Sequence, residues 1–271
     1  QSIIHNMSTD HQKQNPVPAG FVPNKALGQN FLSSAAIIEA ILNEAQIEGR
    51  RVLEIGPGTG ALTEGLLARA DFLAAVEKDG RLCELLAERF GEALHLLHTD
   101  ALDADIPALM GDSPWHAVGN LPYYATTPIV LRLLSLLPSS MTLMVQKEAA
   151  ERFFANAKDR VYGPVAVMTG CCYQARVVVN APRGCFTPPP EVDSVVVRLV
   201  RNEQAVSSGG AFLSFLKQAF SMRRKTLYNN LNRDDRVPPA LIALGYPADT
   251  RAEALPPNAL LALFHALNAS T

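Results

Sequence analysis

Four residues with chemical or conformational purpose stand at the ends of successive apolar runs. Gly56 follows "RVLEI", Glu77 falls in "FLAAVEK", Asp100 ends "ALHLLHTD" and Asn120 ends "WHAVGN". Asn120 also opens "NLPYY", which sets an amide, a proline and two aromatic rings where a buried run stops. A side-chain amide oxygen and a backbone carbonyl from Leu121 or Pro122 can together accept the two N–H bonds of an exocyclic amine. Pro122 stiffens the turn and keeps those acceptors aimed. Tyr123 offers a flat face on which a base can stack. Taken alone, such a turn is also a rigid strand end with a packed ring.

The glycine loop narrows the choice. "EIGPGTGALT" (54–63) reads as a strand, a glycine turn and a helix start, and Gly56, Gly58, Gly60 and Ala61 satisfy the loose dinucleotide pattern. Glu77 lies 21 residues beyond Gly56, where a carboxylate would accept from the two hydroxyls of a ribose. NAD and S-adenosylmethionine share that adenosine. A pyrophosphate needs several backbone N–H donors at the turn, and Pro57 supplies none. The loop therefore favours S-adenosylmethionine, with an NAD enzyme or a purely structural turn as alternatives. Asp100 is suited to accept from the adenine amine, with Ala101 and Leu102 as an apolar wall. Asn120 then faces the substrate side of the same cleft. An adenine N6 is a poor nucleophile because its lone pair is delocalised. Two acceptors on its N–H bonds pull it toward a tetrahedral shape, and the methylated, cationic nitrogen loses its proton without a strong base.

The surrounding elements are those that would position such residues. Helical spacing marks 33–47, with serines available as an N-cap, and also 60–70 and 80–90; strands are expected at 51–55, 72–78, 93–100 and 115–120. Residues 141–155 read as a strand entering a helix, and "ARVVVNAP" and "SVVVRLVR" as later strands. Strands apolar throughout and alternating with helices signal a parallel sheet covered on both faces. Ligands of such sheets bind beyond the carboxyl ends of the strands. Past about residue 205 the pattern becomes short helices, after a "SSGG" stretch (207–210) read as a hinge. The expected organisation is a tail over 1–22, an α/β domain over 23–205 and a small helical domain over 206–271. Met7 is a candidate native start, with residues 1–6 then a cloning remnant.

Composition agrees with an enzyme of this kind. The chain has 271 residues, 48% hydrophobic and 18% charged, enough for one large core and a smaller one. No apolar run is long enough to span a bilayer, and the start lacks the features of a secretory signal. The four cysteines, Cys83, Cys171, Cys172 and Cys185, have neither CxxC nor zinc spacing; they read as reduced thiols of a cytoplasmic protein, and no metal is expected. Net charge is −2, which does not advertise nucleic-acid binding. Residues 211–236 nevertheless hold Lys217, Arg223, Arg224, Lys225, Arg233 and Arg236 against only Asp234 and Asp235. Arg223, Arg224 and Lys225, read as a helix start, would neutralise phosphates.

Taken together, "NKALGQNFL", "VLEIGPGTGALT", "VEKD", "TDAL", "GNLPYY", "LMVQKEAAERF", "YGPVAVM", "FTPPPEVDSVVVRL" and "FSMRRKTLYNNL" resemble the rRNA adenine N6-dimethyltransferases, in the family's motif order from residue 24 onward. The resemblance is to the KsgA-type, small-subunit group more than to the erythromycin-resistance enzymes of the large subunit. It implies a Rossmann-like class I methyltransferase sheet of seven strands, the last antiparallel, with a C-terminal helical domain. It implies S-adenosylmethionine held by Asn30, Leu32, Gly56, Gly58, Gly60, Glu77, Lys78, Asp100, Ala101 and Asn120. Asn120, Leu121, Pro122 and Tyr123 become the substrate side, with Phe186 as the second wall of an adenine sandwich. The implied substrate is a pair of adjacent adenosines in the 3′-terminal hairpin of 16S rRNA, in the small subunit or its precursor. Four methyl transfers by a monomer are expected. A factor that checks subunit assembly, with methylation secondary, is the alternative of a different class.

Overall fold

Successive residues of a strand face opposite sides of its sheet, so a strand covered on both faces is apolar at most steps, and the polar side chains it buries need partners. Val52 and Leu53 show this: both are fully buried, in two separate apolar clusters on opposite faces. The computed structural model describes residues 21–24, 28–202, 206 and 208–268. In chain order these form β1 (Phe31–Leu32), α1 (Ala35–Ala45), β2 (Arg51–Ile55), α2 (Thr63–Leu67), β3 (Phe72–Glu77), α3 (Gly80–Phe90), β4 (His95–His98), α4 (Ile106–Met110) and β5 (Trp115–Asn120). There follow α5 (Thr126–Leu136), β6 (Ser140–Gln146), α6 (Lys147–Phe154), α7 (Pro164–Cys172), β7 (Tyr173–Ala181), β8 (Phe186–Thr187) and β9 (Ser194–Arg201). The chain continues with α8 (Gly209–Ala219), α9 (Leu227–Asn230), α10 (Val237–Ala243) and α11 (Pro257–Asn268).

The main sheet has seven strands in the order β4-β3-β2-β5-β6-β9-β7. β4 through β6 are parallel, and β9 runs antiparallel to both β6 and β7. This is the expected α/β class I methyltransferase architecture. The chain winds outward from β2 to β4, then returns to β5 and winds the other way. The β2–β5 pair is therefore the switch point at which a crevice opens. The two strands come close there: a Cβ added at Gly119 would lie 2.6 Å from the Ile55 carbonyl oxygen.

Several local expectations change. Ser34 occupies the N-cap position of α1 without a side-chain bond, and Ser33 instead donates to the Cys185 carbonyl. The helix expected over 60–70 is confined to α2, because the preceding residues form the glycine turn. The hinge reading of 207–210 does not hold for its described residues. Ser208 caps α8 by accepting from the Ala211 amide, and a Cβ on Gly209 would lie 2.7 Å from the Ser135 carbonyl oxygen. A close-packed glycine fastens the helix instead of freeing it.

α8 packs on α5, and α11 on α7, with their buried side chains in the same apolar cluster as β2, β5 and β6. Tyr162 donates to the Leu255 carbonyl at 2.8 Å. The C-terminal helices thus share a core with the sheet. The expected tail lies outside the described residues over 1–20. Phe21 packs edge-on to Phe31, and the Val22 carbonyl accepts from Arg81, so these two residues are held.

Away from the crevice, β9 buries Arg198, which donates to the hydroxyls of Ser140 and Thr142. With its oxygen accepting from arginine, the Ser140 hydroxyl is placed to donate to His116 Nδ1 at 2.6 Å, which fits a neutral ring. Burial, then the charges of Arg198 and Arg50, push the His116 pKa down to about 4. The unfolded chain takes up this proton near pH 6.5 and the folded chain only near 4. The stabilisation from neutral His116 is therefore full above pH 6.5 and is lost as pH falls through that window. In His116→Gln, urea midpoints should fall less between pH 7 and 4.5 than in the parent; parallel curves would remove His116 as a cause.

Candidate active site

The carboxyl ends of β2, β3 and β5, with the turn after β4, surround one cleft. Its lining includes Asn30, Leu32, Gly56, Gly58, Glu77, Lys78, Asp100, Ala101, Asn120, Leu121, Pro122 and Tyr123. Nearly all the residues singled out from the sequence thus meet in one place. Gly56 and Gly58 adopt φ of +66° and +60°, a region open to glycine at no steric cost. A Cβ at Gly58 would also lie 3.2 Å from the Phe31 ring, so the turn must stay bare to admit β1 above it.

Glu77 is 7% exposed and is held by three backbone amides: Gly58 at 3.2 Å, Lys78 at 2.8 Å and Asp79 at 2.9 Å. Burial raises its pKa, and the amides act in the opposite direction. Asp100 accepts from the Leu102 amide and, at 2.8 Å, from Lys78 Nζ. These contacts, the amide first, hold its pKa below the usual carboxylate range. Lys78 is the only cationic residue among the described lining, and it is paired. With Pro57 adding no donor, the cleft suits an adenosine ligand without phosphates.

On the other side, Asn120 Nδ2 donates to the Asn30 carbonyl at 3.2 Å, which orients the amide. Its Oδ1 is buried and has no hydrogen-bond partner among the described residues. The Pro122 carbonyl already accepts from the Ala125 amide and the Thr126 hydroxyl. The Tyr123 hydroxyl bonds the Ser194 hydroxyl at 2.8 Å, anchoring the ring. The cleft therefore carries a carboxylate seat on one side and an unsatisfied amide oxygen beside an aromatic face on the other.

A family model described as ribosomal RNA adenine dimethylase matches residues 20–263. The chain belongs to that family. This dimethylase is 38% identical over 257 residues to the "Ribosomal RNA small subunit methyltransferase A" of Geobacillus kaustophilus, covering 87% of this chain and 88% of the relative. It is 39% identical over 232 residues to the protein of that name from Clostridium perfringens, covering 82% and 81%. Among solved structures it is similar to a dimethyladenosine transferase from Plasmodium falciparum, with TM-score 0.69 and 27% identity, covering 88% of this chain and 98% of that one. It is also similar to the 23S rRNA methyltransferase ErmE, with TM-score 0.61 and 28% identity, covering 88% and 100%.

Four sequence expectations for the dimethylase need correction. Phe186 does not line the cleft: it is 3% exposed, paired with Leu32 across β1 and β8 and packed in the core under α1. An apolar ring with a strand partner gains more from burial than from facing the cleft. Gly60 also lies off the cleft, because its Cα faces Phe90, 2.8 Å from where a Cβ would stand. Leu102 is 39% exposed and outside the lining, and Leu82 and Val76 supply apolar wall beside Ala101. Arg223, Arg224 and Lys225 lie in a turn before the four-residue α9, not at a helix start. Arg223 is engaged by Glu253 at 3.0 Å and by the Arg160 carbonyl, whereas Arg224 and Lys225 form no ion pair among the described residues.

Other residues of the dimethylase site were not singled out. Glu54 is 1% exposed at the cleft floor, accepts from Thr63 Oγ1 at 2.8 Å, and burial pushes its pKa up to about 8. A glutamate inside an apolar strand was the signal. Gln29 and Arg81 both bond Asp79, and Arg81 also bonds the Val22 carbonyl, tying Val22 and Gln29 to the start of α3. No local pattern marks that contact. No helix among the described residues is long and apolar enough to cross a membrane, and none of their side chains form a metal-binding cluster.

Proposed function

We propose that this dimethylase transfers methyl groups from S-adenosylmethionine to N6 of two adjacent adenosines in the 3′-terminal hairpin loop of 16S rRNA, four transfers in all, on the small subunit or its precursor. It acts as a monomer in the cytoplasm. The observation that carries the reading is the buried Asn120 Oδ1, without a hydrogen-bond partner among the described residues and fixed by the bond from its own Nδ2 to the Asn30 carbonyl. A buried acceptor left empty is costly and is explained by a donor that arrives with the substrate.

S-adenosylmethionine, when bound, supplies an electrophilic methyl on a sulfonium. Glu77 would take its ribose hydroxyls, Asp100 its adenine amine, and Gly56 and Gly58 admit it close to the backbone. On the substrate side, Asn120 Oδ1 and the Leu121 carbonyl accept the two N–H bonds of the target amine. Pro122 stiffens the turn, but its own carbonyl is already occupied by two donors. Tyr123 carries the base on its anchored ring. The proton of the methylated nitrogen leaves to solvent. Arg224 and Lys225 contact RNA phosphates.

Tritiated-methyl transfer to immature 30S and 50S particles tests the substrate. Label is expected in the 30S rRNA as N6,N6-dimethyladenosine; label in the 50S material alone overturns the assignment.

A further inference from the structure

Tyr124, beside the anchored Tyr123, has a different environment. It lines the cleft yet is 52% exposed, whereas most aromatic side chains of the described residues are buried or half-buried. Its open half presents a flat apolar face with a polar tip at the cleft. The ring is nonetheless placed. One edge lies 3.6 Å from where a Cβ on Gly28 would stand, an ordinary van der Waals distance, so the ring sits close beside that glycine. Lys78 Nζ lies 5.8 Å from the ring centroid while bonded to Asp100, which itself is tied to the Leu102 amide. A cation held over one ring by a fixed carboxylate keeps that ring at the mouth.

We propose that Tyr124 is a stacking platform for the RNA nucleotide next to the target adenine. The inference rests on the proposed RNA substrate. When one adenine enters the cleft, its neighbour loses a stacking partner on that side. Tyr123 and Tyr124 are consecutive, so a ring inside the cleft and a ring at its mouth lie one residue apart. That spacing suits two consecutive bases of a single strand, one carried inward and one left at the rim. Stacking on an aromatic face is tolerant of base identity, so the platform would serve either adenosine as the other enters.

The test is steady-state methylation of immature 30S particles by the parent, Tyr124→Ala, Tyr124→Phe and Tyr124→Trp, with S-adenosylmethionine affinity measured by calorimetry. Tyr124→Ala is expected to raise KM for the particle about tenfold, with kcat and cofactor affinity within twofold of the parent. Phe and Trp should restore KM, because the ring acts and not the hydroxyl. An unchanged KM in Tyr124→Ala overturns the platform, as does a Phe variant as impaired as Ala, or a loss confined to cofactor affinity. A parent enzyme that fails to methylate the 30S particle overturns the proposed function instead, so the two failures are told apart in one assay.

Discussion

Asn120→Ala should lower kcat for adenine methylation by roughly 100-fold or more, the scale seen when one preorganised polar group aimed at developing charge is removed, while S-adenosylmethionine affinity stays within about threefold of the parent. The asymmetry follows from where Oδ1 sits. It is buried and has no hydrogen-bond partner among the described residues, so under the proposed function its principal interaction is with the target amine. That interaction strengthens as N6 leaves the plane of its ring and gains positive charge. An interaction made chiefly in the transition state appears in kcat, not in ground-state binding. Alanine also removes the Nδ2 bond to the Asn30 carbonyl, which accounts for a small loss on the cofactor side. Single-turnover methylation at saturating cofactor, with calorimetry for S-adenosylhomocysteine, separates the two. Normal turnover at saturation with much weaker cofactor binding would reverse the assigned role.

Glu77→Ala should behave in the opposite way, raising the S-adenosylmethionine Kd about 100-fold while 30S binding persists. A charged hydrogen bond contributes about 1.5–3 kcal/mol, and losing two to the ribose, offset in part by water, leaves about 3 kcal/mol, or about two decades in Kd. Glu77 also gathers the amides of Gly58, Lys78 and Asp79, so its removal loosens the turn that admits the cofactor. Arg224 and Lys225, which form no ion pair among the described residues, lie outside the cleft lining, and co-sedimentation with 30S particles should be retained. A cofactor Kd within threefold of the parent would remove Glu77 from the seat. Loss of particle binding at an unchanged melting temperature would give it a second task.

The parts of this protein legible in its sequence are those in which a residue's neighbours along the chain determine its state. Continuous apolar runs such as "RVLEI" and "FLAAVE" mark strands buried on both faces, and β2 and β3 occupy those residues. Gly56 and Gly58 are legible because glycine enters the left-handed region at no steric cost, so a glycine-rich stretch after a strand marks a turn. Gly56, Glu77, Asp100 and Asn120 converge because parallel strands deliver their carboxyl ends to one edge. The resemblance supplied the antiparallel β9 and the substrate class, which periodicity alone does not contain.

Tertiary structure decided what each side chain meets. "FTPPP" shows a phenylalanine beside a stiff turn, but only the β1–β8 pairing turns Phe186 into the core. "MRRK" shows three cations, but only the approach of Glu253 and the 160 carbonyl separates Arg223 from Arg224 and Lys225. "SSGG" has the composition of a hinge, yet the nearby Ser135 carbonyl makes Gly209 a packing site. The sequence by itself determined the buried strands, the glycine turn and the set of strand-end groups, because backbone preference and burial period are local. Which groups remain free to act was decided in three dimensions, because a hydrogen bond or a packed face is satisfied by whatever the fold brings near. Asn120 Oδ1 is open for that reason, and the Pro122 carbonyl is not.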